Sequence, residues 1–345
     1  MIRRSVRLGL LFAALLALPF SSPAPLIYRP GEGWTYEVPG DETSGKWRKT
    51  RAKDQLEATR AAFEAGNYRT AAKSGRRLVK TWPLSDYAPE GQYFIGRAYE
   101  ARKMDERAFK EYQTALTKYP KVKNHEEILQ RQFEIANRYL GGQWFKLWGY
   151  IPFFPNMEKT SEMYNRVVAN GPYSAIAPQA QMNLGAAREK QKEFPLAVRA
   201  YERAADRYAD QPIVSAEALY KAGMAYYKQA KTADYDQSIS QQAIATFEDF
   251  MTLFPKDARV PETQKLIAEL RVEQARGAFN VAKFYEKDRI WDGALVYYNE
   301  VLLKDPSSKL ATSARERIEI LKSRRQAAEA RQAAKKPAAE ATEKK

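Results

Sequence analysis

The sequence predicts an all-α fold, a tetratricopeptide-repeat superhelix of about six helix pairs. Two recurring frames carry the prediction. In the first, a small residue is followed four positions on by an aromatic or glycine, and eight positions later by proline. It reads Ala71, Gly75, Pro83, then Ala108, Tyr112, Pro120, then Thr160, Tyr164, Pro172. It continues as Ala197, Tyr201, Ala209, then Ala243, Phe247, Pro255, then Ala294, Tyr298, Pro306. In the second frame a Gly or Ala precedes the small residue by twelve and a Tyr precedes it by nine, as in Gly96 and Tyr99 or Ala282 and Tyr285.

The physical cause is close helix crossing. A Gly or Ala on the first helix of a pair lets the second approach, a small residue faces it, and an aromatic fills the gap beyond. Proline then stops the second helix, because it has no N–H to donate and its ring clashes with the preceding turn. One pair cannot cover its own apolar face, so pairs must stack.

Taken in order, residues 1–24 read as a secretory signal peptide. Arg3, Arg4 and Arg7 precede the apolar run Leu8 to Leu18, which is too short to span a bilayer. Residues 25–49 hold Pro25, Pro30, Gly31, Gly33, Pro39, Gly40 and Gly45 and read as an extended linker, in which Trp34, Tyr36 and Val38 alternate. Residues 50–335 form the repeat domain. Repeat 1 turns at Gly66-Asn67, and repeat 2 runs from Ala88 to Pro120. In repeat 3, Ala136 and Tyr139 predict a small residue at position 148, but the frame resumes twelve residues later at Thr160. Repeat 5 carries an insertion around Lys231 to Ser240, expected as a polar loop. Pro261 to Lys287 reads as one long helix, Trp291 to Lys304 as its partner, and Lys309 to about Ala334 as a capping helix. Residues 336–345 are expected to be a disordered basic tail.

Composition narrows the function. The 345 residues contain no cysteine, which removes thiol catalysis, Cys-based zinc sites and disulfides. The net charge of +15 is spread along the chain rather than gathered in a nucleic-acid stripe, so no nucleic acid is expected as a partner. Anionic headgroups or acidic proteins fit better, with peripheral membrane association. His125 is the sole histidine, at a predicted helix start, and Glu126 and Glu127 read as a solvated acidic pair. No catalytic, metal or cofactor site is expected, and no stretch is left over for a catalytic domain.

The repeat 3 insertion reads GGQWFKLWGYIPFFPNME. Trp144, Phe145, Trp148, Tyr150, Phe153 and Phe154 would bury roughly 150–250 Å² for each large ring, more together than a monomer leaves bare. They must cover something: either repeats 3 and 4, or a docked partner protein or membrane.

Three stretches resemble the BamD-type outer-membrane protein assembly factors. They are LVKTWPLSDYAPEGQYFIGRAYEARKMDERAFKEYQTALTKYP, the aromatic insertion after Tyr139, and EQARGAFNVAKFYEKDRIWDGALVYYNEVLLKDPSSKLATSA. The resemblance covers Thr50 to Leu321. It implies a non-enzymatic periplasmic scaffold, associated with the outer membrane, that helps insert β-barrel proteins. N-terminal repeats would meet unfolded barrel substrates, and C-terminal repeats would dock on the barrel-forming assembly subunit. That family is tethered through a lipidated Cys, absent here, and usually has five helix pairs. A periplasmic adaptor for envelope constriction or cell-wall machinery would share the fold. The family geometry also points the second, fifth, ninth and twelfth positions of each first helix into a concave groove. That selects Lys53, Leu56, Arg60 and Phe63 in repeat 1, and Glu90, Tyr93, Arg97 and Glu100 in repeat 2. Lys53, Arg60, Phe63, Tyr93 and Arg97 would then hold a peptide ending in an aromatic residue and a free carboxylate.

Overall fold

The computed structural model describes residues 26–36, 47–147, 151–232 and 237–342. The described chain is all-α apart from two short hairpins, and its helices fall into six pairs with one helix to follow. The pairs are α1 (Ala52–Glu64) with α2 (Tyr68–Thr81), α3 (Ala88–Ala101) with α4 (Asp105–Lys118), and α5 (His125–Leu140) with α6 (Met157–Asn170). They continue as α7 (Ala177–Lys190) with α8 (Phe194–Arg207), α9 (Pro212–Thr232) with α10 (Gln237–Leu253), and α11 (Val260–Lys287) with α12 (Trp291–Lys304). The final helix is α13 (Lys309–Thr342). Two compact units divide within α5. The first comprises Met1–Ile135 and Lys146–Ile151, the second Ala136–Phe145 and Pro152–Lys345.

Each frame position has a structural counterpart. The frame prolines fall two residues beyond the second helix of each pair, at Pro83, Pro120, Pro172, Pro255 and Pro306. Where Ala209 replaces proline, α8 still ends at Arg207, and the Gln211 amide closes a turn onto the Tyr208 carbonyl at 2.9 Å. The Tyr of the second frame supplies the carbonyl that ends the first helix. Met104 N–H donates to Tyr99 O at 3.0 Å and Ile290 N–H to Tyr285 O at 2.9 Å, the long bond of a Schellman turn. Glu193 N–H makes the same bond to Arg188 O at 3.0 Å, so the backbone keeps the turn where the Tyr is lost.

The crossing itself is tighter than the sequence argument required. The aromatic, rather than the small residue alone, lies against the glycine. A Cβ on Gly96 would stand 2.4 Å from Tyr112, one on Gly185 2.4 Å from Tyr201, and one on Gly223 2.5 Å from Phe247. Buried glutamines add a polar tie across three pairs. Gln55, Gln92 and Gln181 each donate to a carbonyl nineteen residues on, those of Ser74 at 3.3 Å, Glu111 at 3.1 Å and Ala200 at 2.8 Å.

Three expectations change. The stretch expected as a linker contains a hairpin, β1 (Leu26–Arg29) with β2 (Gly33–Tyr36), antiparallel and with Tyr28 opposite Trp34. Its turn is fixed by Gly31 and Gly33, both at positive φ, so glycines that forbid a helix here build a tight turn. The repeat 5 insertion is mostly helix, because it lengthens α9 to 21 residues and α10 to 17, leaving 233–236 outside the described residues. The alanine-rich end also continues as helix, α13 reaching Thr342. The signal-peptide reading of residues 1–24 lies outside the described residues.

Candidate functional site

In the first unit a cleft of about 850 Å³ opens between α1, the start of α3 and the turn after α4. The helical period places Lys53, Leu56 and Arg60 on one face of α1. Asp86, Tyr87, Pro89 and Glu90 come from the start of α3, and Lys118 to Asn124 from the end of α4 and its turn. Five cations line the cleft against three carboxylates. Among the described residues the ammonium groups of Lys53, Lys121 and Lys123 have no ion-pair partner, and all three residues are exposed. Leu56 and Val122 are buried at its floor. The Tyr119 hydroxyl is buried there without a hydrogen-bond partner among the described residues.

Of the five groove residues expected from the sequence, the cleft gathers Lys53 and Arg60. Phe63, Tyr93 and Arg97 stand outside its lining, with Arg97 lying over both rings. The Arg97 guanidinium lies 5.1 Å from the Phe63 ring centroid and 5.6 Å from that of Tyr93. Neither arginine presents a bare guanidinium. Arg60 Nε donates to Glu90 Oε1 at 2.7 Å, with Arg60 Nη2 bonded to the same oxygen. Arg97 Nη1 donates to the Tyr93 hydroxyl at 2.5 Å and to Glu127 Oε1 at 3.3 Å.

Glu127, read from sequence as half of a solvated pair, is the hub of this network. It accepts from the Tyr93 hydroxyl at 2.5 Å, Asn124 Nδ2 at 3.0 Å and Arg131 Nε at 3.0 Å, besides Arg97. Burial pushes its carboxyl up, but the hydrogen bonds from Tyr93, Asn124 and Arg131 outweigh that and hold it down at about 2. In the sequence these pairs share one spacing. Arg60 meets Glu90 and Arg97 meets Glu127, each thirty residues on, where one repeat follows another.

The repeat 3 insertion folds as a second hairpin, β3 (Phe145–Leu147) with β4 (Ile151–Phe154). Its aromatics divide. Phe145 is 3% exposed and stacks on Tyr139 with centroids 4.0 Å apart, and Lys159 Nζ lies 5.2 Å from the same ring. Trp144 and Phe154 are 52% and 40% exposed. Trp148 and Tyr150 lie outside the described residues, and Phe153 is described in its backbone alone. Lys146 is tied by its amide to Glu106 Oε1 at 2.9 Å and by its ammonium to Lys103 O at 3.1 Å.

Paired helices crossing at a glycine and an open cleft along their first helices define a tetratricopeptide-repeat protein, and residues 92–121 match that repeat. The chain belongs to the outer membrane lipoprotein family YfiO, which it matches over residues 155–339, more than half of its 345 residues. Proteins of these families are typically non-enzymatic scaffolds that bind other proteins. No curated protein matches the chain. Among solved structures it is similar to the C-terminal part of a repeat protein from Cytophaga hutchinsonii, at 15% identity over 78% of this chain and 88% of that one, with a TM-score of 0.32. A repeat protein from Parabacteroides merdae shares 13% identity over 78% and 98% of the two chains, with a TM-score of 0.30. The type IV pilus biogenesis factor PilW shares 15% over 76% and 97%, with a TM-score of 0.25.

Proposed function

We propose that the protein is a non-enzymatic periplasmic scaffold that helps assemble β-barrel proteins into the outer membrane. The observation that carries this reading is the family match over residues 155–339. The cleft of the first unit supports a peptide-receiving role. It is long, open and basic, with apolar residues Leu56, Tyr87, Pro89 and Val122 between its cations. In this reading Lys53, Lys121 and Lys123 attract the carboxylate of an extended substrate segment, and the aromatic end packs on the apolar floor. Arg60 joins them at the rim, while Phe63, Tyr93 and Arg97 brace the wall beside it. The exposed Trp144 and Phe154 dock a folded partner, a barrel-forming assembly subunit with soluble periplasmic domains.

The test is binding of a fluorescent peptide that ends in an aromatic residue and a free carboxylate. Affinity is expected to fall as salt rises, because the cations are exposed. Amidating the peptide, or changing Lys53 and Lys121 to Glu, is expected to weaken it by about tenfold, the worth of a charge-assisted contact. Equal binding of amidated and free peptides would remove the carboxylate from the reading. Purification of the tagged chain from envelopes is expected to recover the barrel subunit. Recovery of constriction or cell-wall proteins in its place would overturn the assembly role.

A further inference from the structure

The hairpin that precedes the repeats has two faces of opposite character. Its turn is pinned to the first repeat pairs. Gly31 O accepts from the Asp86 amide at 2.7 Å, and a side chain at Gly31 would press on Asp86 Oδ2 at 3.2 Å. Glu32 is buried at the start of α1, where the helix has no side-chain cap of its own. Its Oε1 accepts from the Lys53 amide at 3.4 Å and lies 3.8 Å from Arg51 Nε. A carboxylate is favoured at that end of a helix, so the turn caps α1 from outside. One residue pair from the turn, Tyr28 and Trp34 sit opposite each other across the strands with ring centroids 5.3 Å apart. They are 59% and 67% exposed. A hairpin pinned through its turn still leaves two large rings in water beside that turn.

We propose that the Tyr28–Trp34 pair is a membrane-interface contact that seats the first repeat on an anionic phospholipid surface. This rests on the membrane-associated reading above. Tyr and Trp suit the headgroup zone, where the ring is buried and the polar tip stays wet. The surrounding charge is of the right sign. Arg29 lies in β1, and the exposed Arg48 and Lys49 lead into α1 beside Arg51, which faces the buried Glu32; the exposed carboxylate at the turn is that of Asp86. The family is one of lipoproteins, yet no residue of this chain offers a thiol to carry a lipid. An aromatic hairpin that meets the start of α1 through Glu32 supplies attachment beside the first repeat.

Because the chain lacks cysteine, a single reporter is simple to place. The chain recovered from envelopes is labelled at Tyr28→Cys with an environment-sensitive fluorophore, and separately at Lys110→Cys, an exposed position of the same unit on α4. With phosphatidylcholine vesicles containing phosphatidylglycerol, the label at 28 is expected to shift to the blue and the label at 110 to stay unchanged. Phosphatidylcholine alone is expected to give the smaller shift. The variant carrying Tyr28→Ser and Trp34→Ser, its helicity checked by circular dichroism, is expected to co-float with these vesicles about tenfold less than the unsubstituted chain. A silent label at 28, equal shifts at both positions, or undiminished flotation of the double variant would overturn the proposal. These assays contain no peptide and no protein partner. Their failure leaves the assembly reading standing, and failure of the peptide assay leaves the hairpin contact standing.

Discussion

Tyr112 lies so close to Gly96 that one added methyl group would stand 2.4 Å from its ring. The same contact joins Tyr201 to Gly185 in the second unit. Gly96→Ala would gain about 1 kcal/mol of helix propensity in isolation. Here it overpacks a close helix crossing and is expected to cost about 1–3 kcal/mol net. Gly185→Ala should behave alike. Thermal melts of the two variants test this, and an unchanged or raised Tm would mean that the helices separate without penalty.

The two tyrosines differ at their hydroxyls. Tyr112 donates to Glu100 Oε2 at 2.7 Å, whereas the Tyr201 hydroxyl is buried with no hydrogen-bond partner among the described residues. Tyr112→Phe is expected to cost about 1–2 kcal/mol, since it strips a partner from a half-buried carboxylate. Tyr201→Phe is expected to be neutral or stabilising, because it removes an unsatisfied polar atom. Denaturant titrations that gave equal losses for the two would contradict this assignment.

Acid is expected to act on both units through depressed carboxyls. Glu127 falls to about 2 from an ordinary 4.5 despite its burial, held by Tyr93, Asn124 and Arg131. Asp257 falls to about 2 from 3.8, chiefly through hydrogen bonds from Arg259. The unfolded chain binds these protons more readily than the folded one. Their contribution is therefore complete above the unfolded values and is lost as pH falls through that range to about 2. Unfolding free energy, measured from pH 6 down to about pH 2, should drop less steeply in Glu127→Gln and Asp257→Asn than in the parent chain. Parallel slopes would show that neither carboxyl senses folding.

The repeat 3 hairpin separates packing from docking within neighbouring residues. Phe145→Ser should lower the Tm strongly, by about 3 kcal/mol of stability, since it empties a stacked and buried site. Trp144→Ser and Phe154→Ser should leave the Tm nearly unchanged while reducing recovery of a partner from envelopes. A large Tm loss from the latter pair would mean that all of these rings serve the fold.

The repeat class and the six helix pairs follow from sequence alone, because each depends on local rules at fixed spacing, whereas the ends of α9, α10 and α13 do not. Gly96 meets Tyr112 and the Tyr99 carbonyl accepts from Met104 within one repeat, and the frame recurs six times with Gly75 and Ala209 as its departures. What the tertiary structure decided are contacts between residues whose separation obeys no local rule, or whose partner is another charge. Arg60 and Arg97 look free in sequence, and only packing of successive first helices brings Glu90 and Glu127 within hydrogen-bond reach. The basic character of the cleft consequently passes to Lys53, Lys121 and Lys123, two of them just beyond the frame proline Pro120. The N-terminal hairpin is the clearest case. Its glycines and prolines exclude a helix, but a two-stranded hairpin is marginal by itself, and it persists where Glu32 finds the uncapped end of α1.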